Sequence, residues 1–124
     1  LMTYYIFRYW NSTLLNLFHP YLSFLFAGLV LIFTLTAITY FWKISLHSSS
    51  ISALCGGMMA ETLVAQPVTS QNQVFYINMA LLVLVGIVCF SRLYLKAHTV
   101  SQTIAGIALG FSLAFSLVFF QIYI

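Results

Sequence analysis

Five nitrogen-bearing side chains gather in two short polar segments of an otherwise apolar chain: Lys43 and His47 in the first, Arg92, Lys96 and His98 in the second. The hydroxyls of Ser45, Ser48, Ser49, Ser50, Ser91, Thr99 and Ser101 lie beside them. The planar fork of arginine suits phosphate oxygens two at a time. A neutral histidine can attack phosphorus, and a protonated one can donate to the leaving oxygen. Two histidines therefore cover complementary halves of a phosphoryl transfer. Each segment also leads into a helix N-terminus, where free backbone N–H groups and the macrodipole favour an anion. The opposing reading is structural, since lysine and arginine routinely flank membrane helices and reach toward headgroups. What weighs against it is the joint clustering, which collects three of the four cations and two of the three histidines.

Helices must position these residues. The 124-residue chain is 63% hydrophobic and only 4% charged, with a mean hydropathy of +1.07. A soluble domain averages about 25% charged residues, so five charged side chains cannot cover a water-facing surface. The chain reads as a single transmembrane domain over residues 1–124. Its formal charge of +3 is too sparse for a nucleic-acid footprint, and no nucleic-acid partner is expected. Cys55 and Cys89 sit in apolar runs, where a thiol behaves as a small hydrophobe. The chain opens on Leu1 without a charged leader segment, from which we expect upstream residues to be missing.

Along the chain, residues 1–18 read as a membrane helix, His19-Pro20 as a break, and residues 21–42 as a second helix with Tyr and Trp at its far end. Residues 43–50 form a polar loop whose serines suit an N-cap. A third helix over 48–66 carries the small residues Ala53, Gly56, Gly57 and Ala60, which permit close helix approach. A turn over 67–73, a helix over 74–95, a break near 96–98 and a last helix over 99–124 complete the expectation. Strand alternation is absent, leaving an all-α polytopic membrane bundle with about five transmembrane helices and a sixth upstream. Gly106 and Gly110 are spaced as a close-packing pair. Counting crossings puts both polar segments on one membrane face. Glu61, about 21 Å along its helix from His47, belongs near the opposite face, at the interface. His19 is read as structural, and Arg8 as buried in the bundle or paired.

The spacing Ser91-Arg92, five residues, His98, three residues, Gln102 resembles the third signature of the type 2 phosphatidic acid phosphatase and vanadium haloperoxidase superfamily. Ser45-Leu46-His47-Ser48 resembles its second signature, which also opens a helix. The resemblance covers residues 40–115, and the first 40 only by hydropathy. It implies an integral membrane lipid phosphatase that hydrolyses a lipid phosphate or polyprenyl diphosphate through a phosphohistidine, with no metal and no cofactor. His98 would be the nucleophile, His47 the general acid, and Arg92 the clamp on the phosphoryl oxygens. Ser45 and the amide of Leu46 would hold phosphate, with Lys43 and Ser91 beside them and Gln102 orienting His98. Membrane lipids and a lipid phosphate substrate are the implied partners, and the bacterial inner (cytoplasmic) membrane the implied location.

The chain departs from the family pattern at three places. Gln102 stands where the family has an aspartate; glutamine can hold a tautomer but cannot stabilise an imidazolium, and the corresponding loss in a serine protease costs about 10⁴ in rate. Leu46 replaces a glycine that lets backbone approach phosphate. The first signature is absent from this chain. These departures point to reduced activity, or to the alternative of a noncatalytic descendant serving as a structural subunit of a membrane complex or as a lipid-binding protein.

Overall fold

The computed structural model describes the backbone of residues 2–64 and 71–120 and the side chains of residues 21–64 and 72–120. Among the described residues there are four helices: α1 (Met2–Phe41), α2 (Leu46–Val64), α3 (Gln71–Tyr94) and α4 (Val100–Phe119). Three segments are long and apolar enough to cross a membrane: Tyr21–Phe41 of α1, Asn72–Tyr94 of α3 and Val100–Phe119 of α4. The protein is an integral membrane helical bundle.

Four helices replace the five expected, because the chain does not break at His19-Pro20. Proline removes one backbone donor from the helical ladder, and within a long helix that loss leaves the other hydrogen bonds on either side intact. Such prolines are tolerated in membrane helices where neighbouring groups re-satisfy the freed carbonyl. Boundaries move elsewhere too. α2 begins at Leu46, so His47 and the serines after it lie in its first turns rather than in a loop. Residues 71–73, expected in a turn, open α3. The rest of that turn, 67–70, lies outside the described residues, as do the side chains of Arg8 and His19.

α2 differs from the other three helices. It is rich in small residues, and eight of them are buried: Ser48, Ser49, Ser52, Ala53, Cys55, Gly56, Gly57 and Ala60. It packs most extensively on α4, then on α3, while α1 meets α4 more than α2. The α2–α4 seam is backbone against backbone. A Cβ on Gly106 would lie 2.9 Å from the Ser45 carbonyl oxygen, one on Gly56 would lie 2.6 Å from that of Phe111, and one on Gly110 would run into the Ser49 carbonyl. Only glycine admits that approach. Lipid is as apolar as leucine, so such close packing, rather than withdrawal from water, holds membrane helices together. On the other side, Leu31 and Leu35 of α1 close over Ile44, Ala53 and Ala114. Deeper in the bundle Ala27, Ala60 and Val118 form a second cluster with Phe24 against it.

α3 ends on a turn with defined chemistry. Lys96 adopts φ 52°, the left-handed region. Its N–H donates to Leu93 O at 3.0 Å, and the next N–H, of Ala97, donates to Arg92 O at 3.1 Å. These are the paired bonds of a Schellman motif, in which glycine is the usual occupant of the left-handed position. Lysine there carries a Cβ that this conformation crowds. Lys96→Gly is therefore expected to stabilise the protein by up to about 1 kcal/mol, read as a raised midpoint of thermal unfolding in detergent.

Candidate functional site

Both polar connections emerge at one end of the bundle. α1 descends into residues 42–45, α2 leaves from there, α3 returns to that end, and α4 leaves again after residues 95–99. The seam contacts between Gly106 and Ser45 fix the two helix starts beside each other. Neither α2 nor α4 has an acidic residue in its first turn, and the one acid in the sequence is Glu61, in the last turns of α2. Two parallel helix N-termini with unneutralised positive ends thus stand at the same end of the bundle. Tyr40, Phe41, Trp42 and Tyr94 are exposed around this end, as in an aromatic interface belt.

The first connection is short and anchored from within. Ile44 is 2% exposed and Ser45 is fully buried. Ser45 Oγ accepts the Ser48 N–H at 3.4 Å and bonds Ser48 Oγ at 2.9 Å, which caps the start of α2. That hydroxyl is used by the helix itself. Lys43, Leu46 and His47 are exposed, and the amides of Leu46 and His47 are first-turn donors with no helical acceptor. The Ser49 hydroxyl donates to Ser45 O at 2.9 Å and the Ser52 hydroxyl to Ser49 O at 3.0 Å, so these buried hydroxyls are spent on the backbone of α2 and its lead-in.

In the second connection Ser91 and Arg92 occupy the last turns of α3 and are partly buried. The Schellman turn then throws His98 back toward the bundle, where it too is partly buried. Arg92 Nε and His98 Nδ1 are both buried and without hydrogen-bond partners. Lys96 is exposed. Among the described residues no hydrogen bond or ion pair joins Lys43, His47, Arg92, Lys96 and His98 to one another. The structure collects them at one end without linking them directly.

Gln102 takes part in the start of α4. Its Oε1 accepts the Thr99 N–H at 3.1 Å, while its own N–H donates to Thr99 Oγ1 at 3.4 Å. This is a complete capping box at the start of α4. The side chain oxygen expected to orient His98 is committed to Thr99, and His98 Nδ1 is left bare. Thr99→Ala is expected to cost about 1 kcal/mol of stability, measured by denaturant titration in detergent.

Sequence reasoning placed Glu61 but passed over the polar pair next to it. Asn78 Nδ2 donates to Thr62 Oγ1 at 3.1 Å across the α2–α3 contact. Glu61 Oε2 and Asn78 Oδ1 are buried without partners. The signal was the polar Asn78 inside an apolar run, which within a membrane marks a helix contact. Among the described residues no group of three His, Cys, Asp or Glu side chains is placed to hold a metal ion.

The chain matches no protein-family model, no curated protein and no solved structure.

Proposed function

We propose that the protein is a phosphatase-like enzyme of the membrane, hydrolysing a lipid phosphate or polyprenyl diphosphate through a phosphohistidine, as the superfamily it resembles does. The observation that carries this reading is the bundle end itself. Two acid-free helix N-termini stand there with Lys43, Arg92 and Lys96, and Arg92 Nε and His98 Nδ1 lack any protein partner. Buried polar atoms are ordinarily hydrogen-bonded, and a phosphate group supplies acceptors for a guanidinium donor.

In this mechanism the Arg92 guanidinium and the first-turn amides of α2 hold the phosphoryl oxygens. A ring nitrogen of His98 attacks phosphorus and forms the P–N bond as the P–O bond to the lipid breaks. His47, exposed on the first turn of α2, gives its proton to the departing alkoxide. Water then attacks the phosphohistidine, with His47 now taking the proton, and releases phosphate. Gln102 contributes no charge to balance the histidine in the intermediate, so turnover is slow. The bacterial inner membrane is the proposed location.

The noncatalytic alternative, a structural subunit of a membrane complex or a lipid binder, is favoured by one specific feature, the capture of Gln102 by the capping box. Phosphate release from phosphatidate, lysophosphatidate and a polyprenyl diphosphate by the detergent-purified protein tests the two against each other. Release above that of a heat-inactivated sample supports the enzyme. Release from none of them, with stoichiometric co-purifying membrane proteins, supports the subunit.

A further inference from the structure

α1 runs through Pro20 without a break, which leaves one backbone group unserved. Proline has no N–H, so the carbonyl oxygen of Asn16, four residues back, has no helical donor. The complementary lack lies on α2, where Glu61 Oε2 is buried without a hydrogen-bond partner. Helix geometry brings the two together. α1 ends and α2 starts at the same end of the bundle, so they run antiparallel. They meet where Gly57 faces the Phe24 ring, whose Cε1 lies 2.5 Å from the place a Cβ on Gly57 would take. One turn beyond that contact, about 6 Å along each axis, α2 carries Glu61 and α1 carries Pro20. Both lie on the facing sides. Phe24, Gly28 and Ile32 of α1 line the gap between the helices together with Ser50 and Leu54 of α2. Pro20 continues the four-residue series of α1, and Glu61 falls within about 40° of Ser50, Leu54 and Gly57 around α2.

The rotation of α2 is fixed from its other side. Thr62 gives its one hydroxyl proton to Met58 O at 2.6 Å, so it can only accept from Asn78 Nδ2, at 3.1 Å. That bond ties Thr62 to α3 and leaves Glu61, about 100° round the helix, on the α1 side. A carboxylate oxygen sealed from water without a donor is costly, and a carboxyl so placed keeps its proton. Lys43, His47, Arg92, Lys96 and His98 stand at the opposite end of the bundle. Nearer to Glu61, Tyr21 of α1 and Tyr76 of α3 are exposed, and His19 adjoins Pro20 in the sequence.

We propose that Glu61 carries a proton and donates it to the Asn16 carbonyl, so that a carboxylic acid of α2 replaces the backbone donor that Pro20 takes from α1. The inference is independent of the phosphate-binding reading of the other end. It makes the continuity of α1 depend on one proton. A charged Glu61 would face the carbonyl acceptor to acceptor, and the helix would bend at Pro20, where kinks in helices arise.

The test uses the purified full chain in detergent at neutral pH. Glu61 is the one acidic side chain in the sequence, so an infrared band of a protonated carboxyl that disappears in Glu61→Gln is assigned without ambiguity, and that band is expected. Glu61→Leu should lower the ratio of folded to unfolded protein roughly five- to tenfold, as the loss of a buried hydrogen bond does. Glu61→Gln, whose amide still donates, should retain most of that ratio. Pro20→Ala restores the missing N–H, and in that background Glu61→Leu should cost almost nothing, a coupling that a double-mutant cycle reads directly. Should Glu61→Leu alone fail to fold, recovery of folding on adding Pro20→Ala reports the same coupling. A carboxylate band in place of the acid band, as an ion pair with His19 would give, would overturn the proposal. So would an equal cost of Glu61→Leu with and without Pro20, or coupling of Glu61→Leu to Asn78→Ala instead, which would send the proton to α3.

Discussion

His98→Ala is expected to bring phosphate release down to the level of the heat-inactivated protein, while leaving the free energy of unfolding within about 0.5 kcal/mol of the original, as for other changes that disturb no packing or cap. Removing a nucleophile deprives the reaction of its covalent path, and in a well-studied hydrolase such losses reach about 10⁶ in rate. Stability should hold because His98 makes no hydrogen bond through its buried Nδ1, and the turn around it is held by backbone bonds of Lys96, Ala97 and the Thr99–Gln102 cap. The companion His47→Ala should lower release by about 10²–10⁴, the usual worth of a general acid. Release that persists in His98→Ala would remove the phosphohistidine. Equal loss of folding and activity would show only that the side chain supports the fold, which the unfolding measurement detects directly.

Gly110→Leu is expected to have the largest effect on stability. A single added Cβ at this position already runs into the Ser49 carbonyl and comes within 2.6 Å of Ser52 Oγ. Both obstacles belong to α2, and one is backbone, so no rotamer change relieves the clash. Overpacking a core typically costs about 1–3 kcal/mol and occasionally more; here the helices must separate, which puts the effect at or above the top of that range. Against a whole-protein stability of about 5–15 kcal/mol, the folded fraction should fall measurably. Circular dichroism during denaturant titration in detergent should show a lowered midpoint, and Gly86→Leu, on the exposed side of α3, should show none. Parting this seam also spreads the starts of α2 and α4, so phosphate release should decline along with stability.

Much of this architecture follows from patterns visible in the amino-acid order. Sparse charge and long apolar runs dictate a helical membrane protein, the Gly106–Gly110 spacing marks the helix that meets another at backbone distance, and counting crossings brings the two cationic segments to one end. The Pro20 position was less legible, because a proline reads alike whether it ends a helix or lies within one that its surroundings sustain. Gln102 is the more instructive case. Thr99-Val100-Ser101-Gln102 is itself a capping-box pattern, and the same glutamine is also correctly spaced to serve His98. Two local uses compete for one side chain, and spacing alone does not rank them. The structure gives the oxygen to the helix start, where the backbone donor is fixed and near. Ser48 and Ser49 similarly read as polar residues of a loop and helix start, since neither hydropathy nor spacing reveals that Gly106 and Gly110 of a neighbouring helix will pack against this stretch.

The uninterrupted course of α1 sets its reach. Forty residues at 1.5 Å each make a rod about 60 Å long, roughly twice the thickness of a hydrocarbon layer. Its C-terminal half is clamped in the bundle through Leu31 and Leu35, and it ends one residue before the strap that seats Ile44 and Ser45. The Tyr21–Phe41 segment alone, about 32 Å at the same rise, already matches that layer, so with this segment seated across the membrane the helix continues past the layer at the end opposite the two cationic connections.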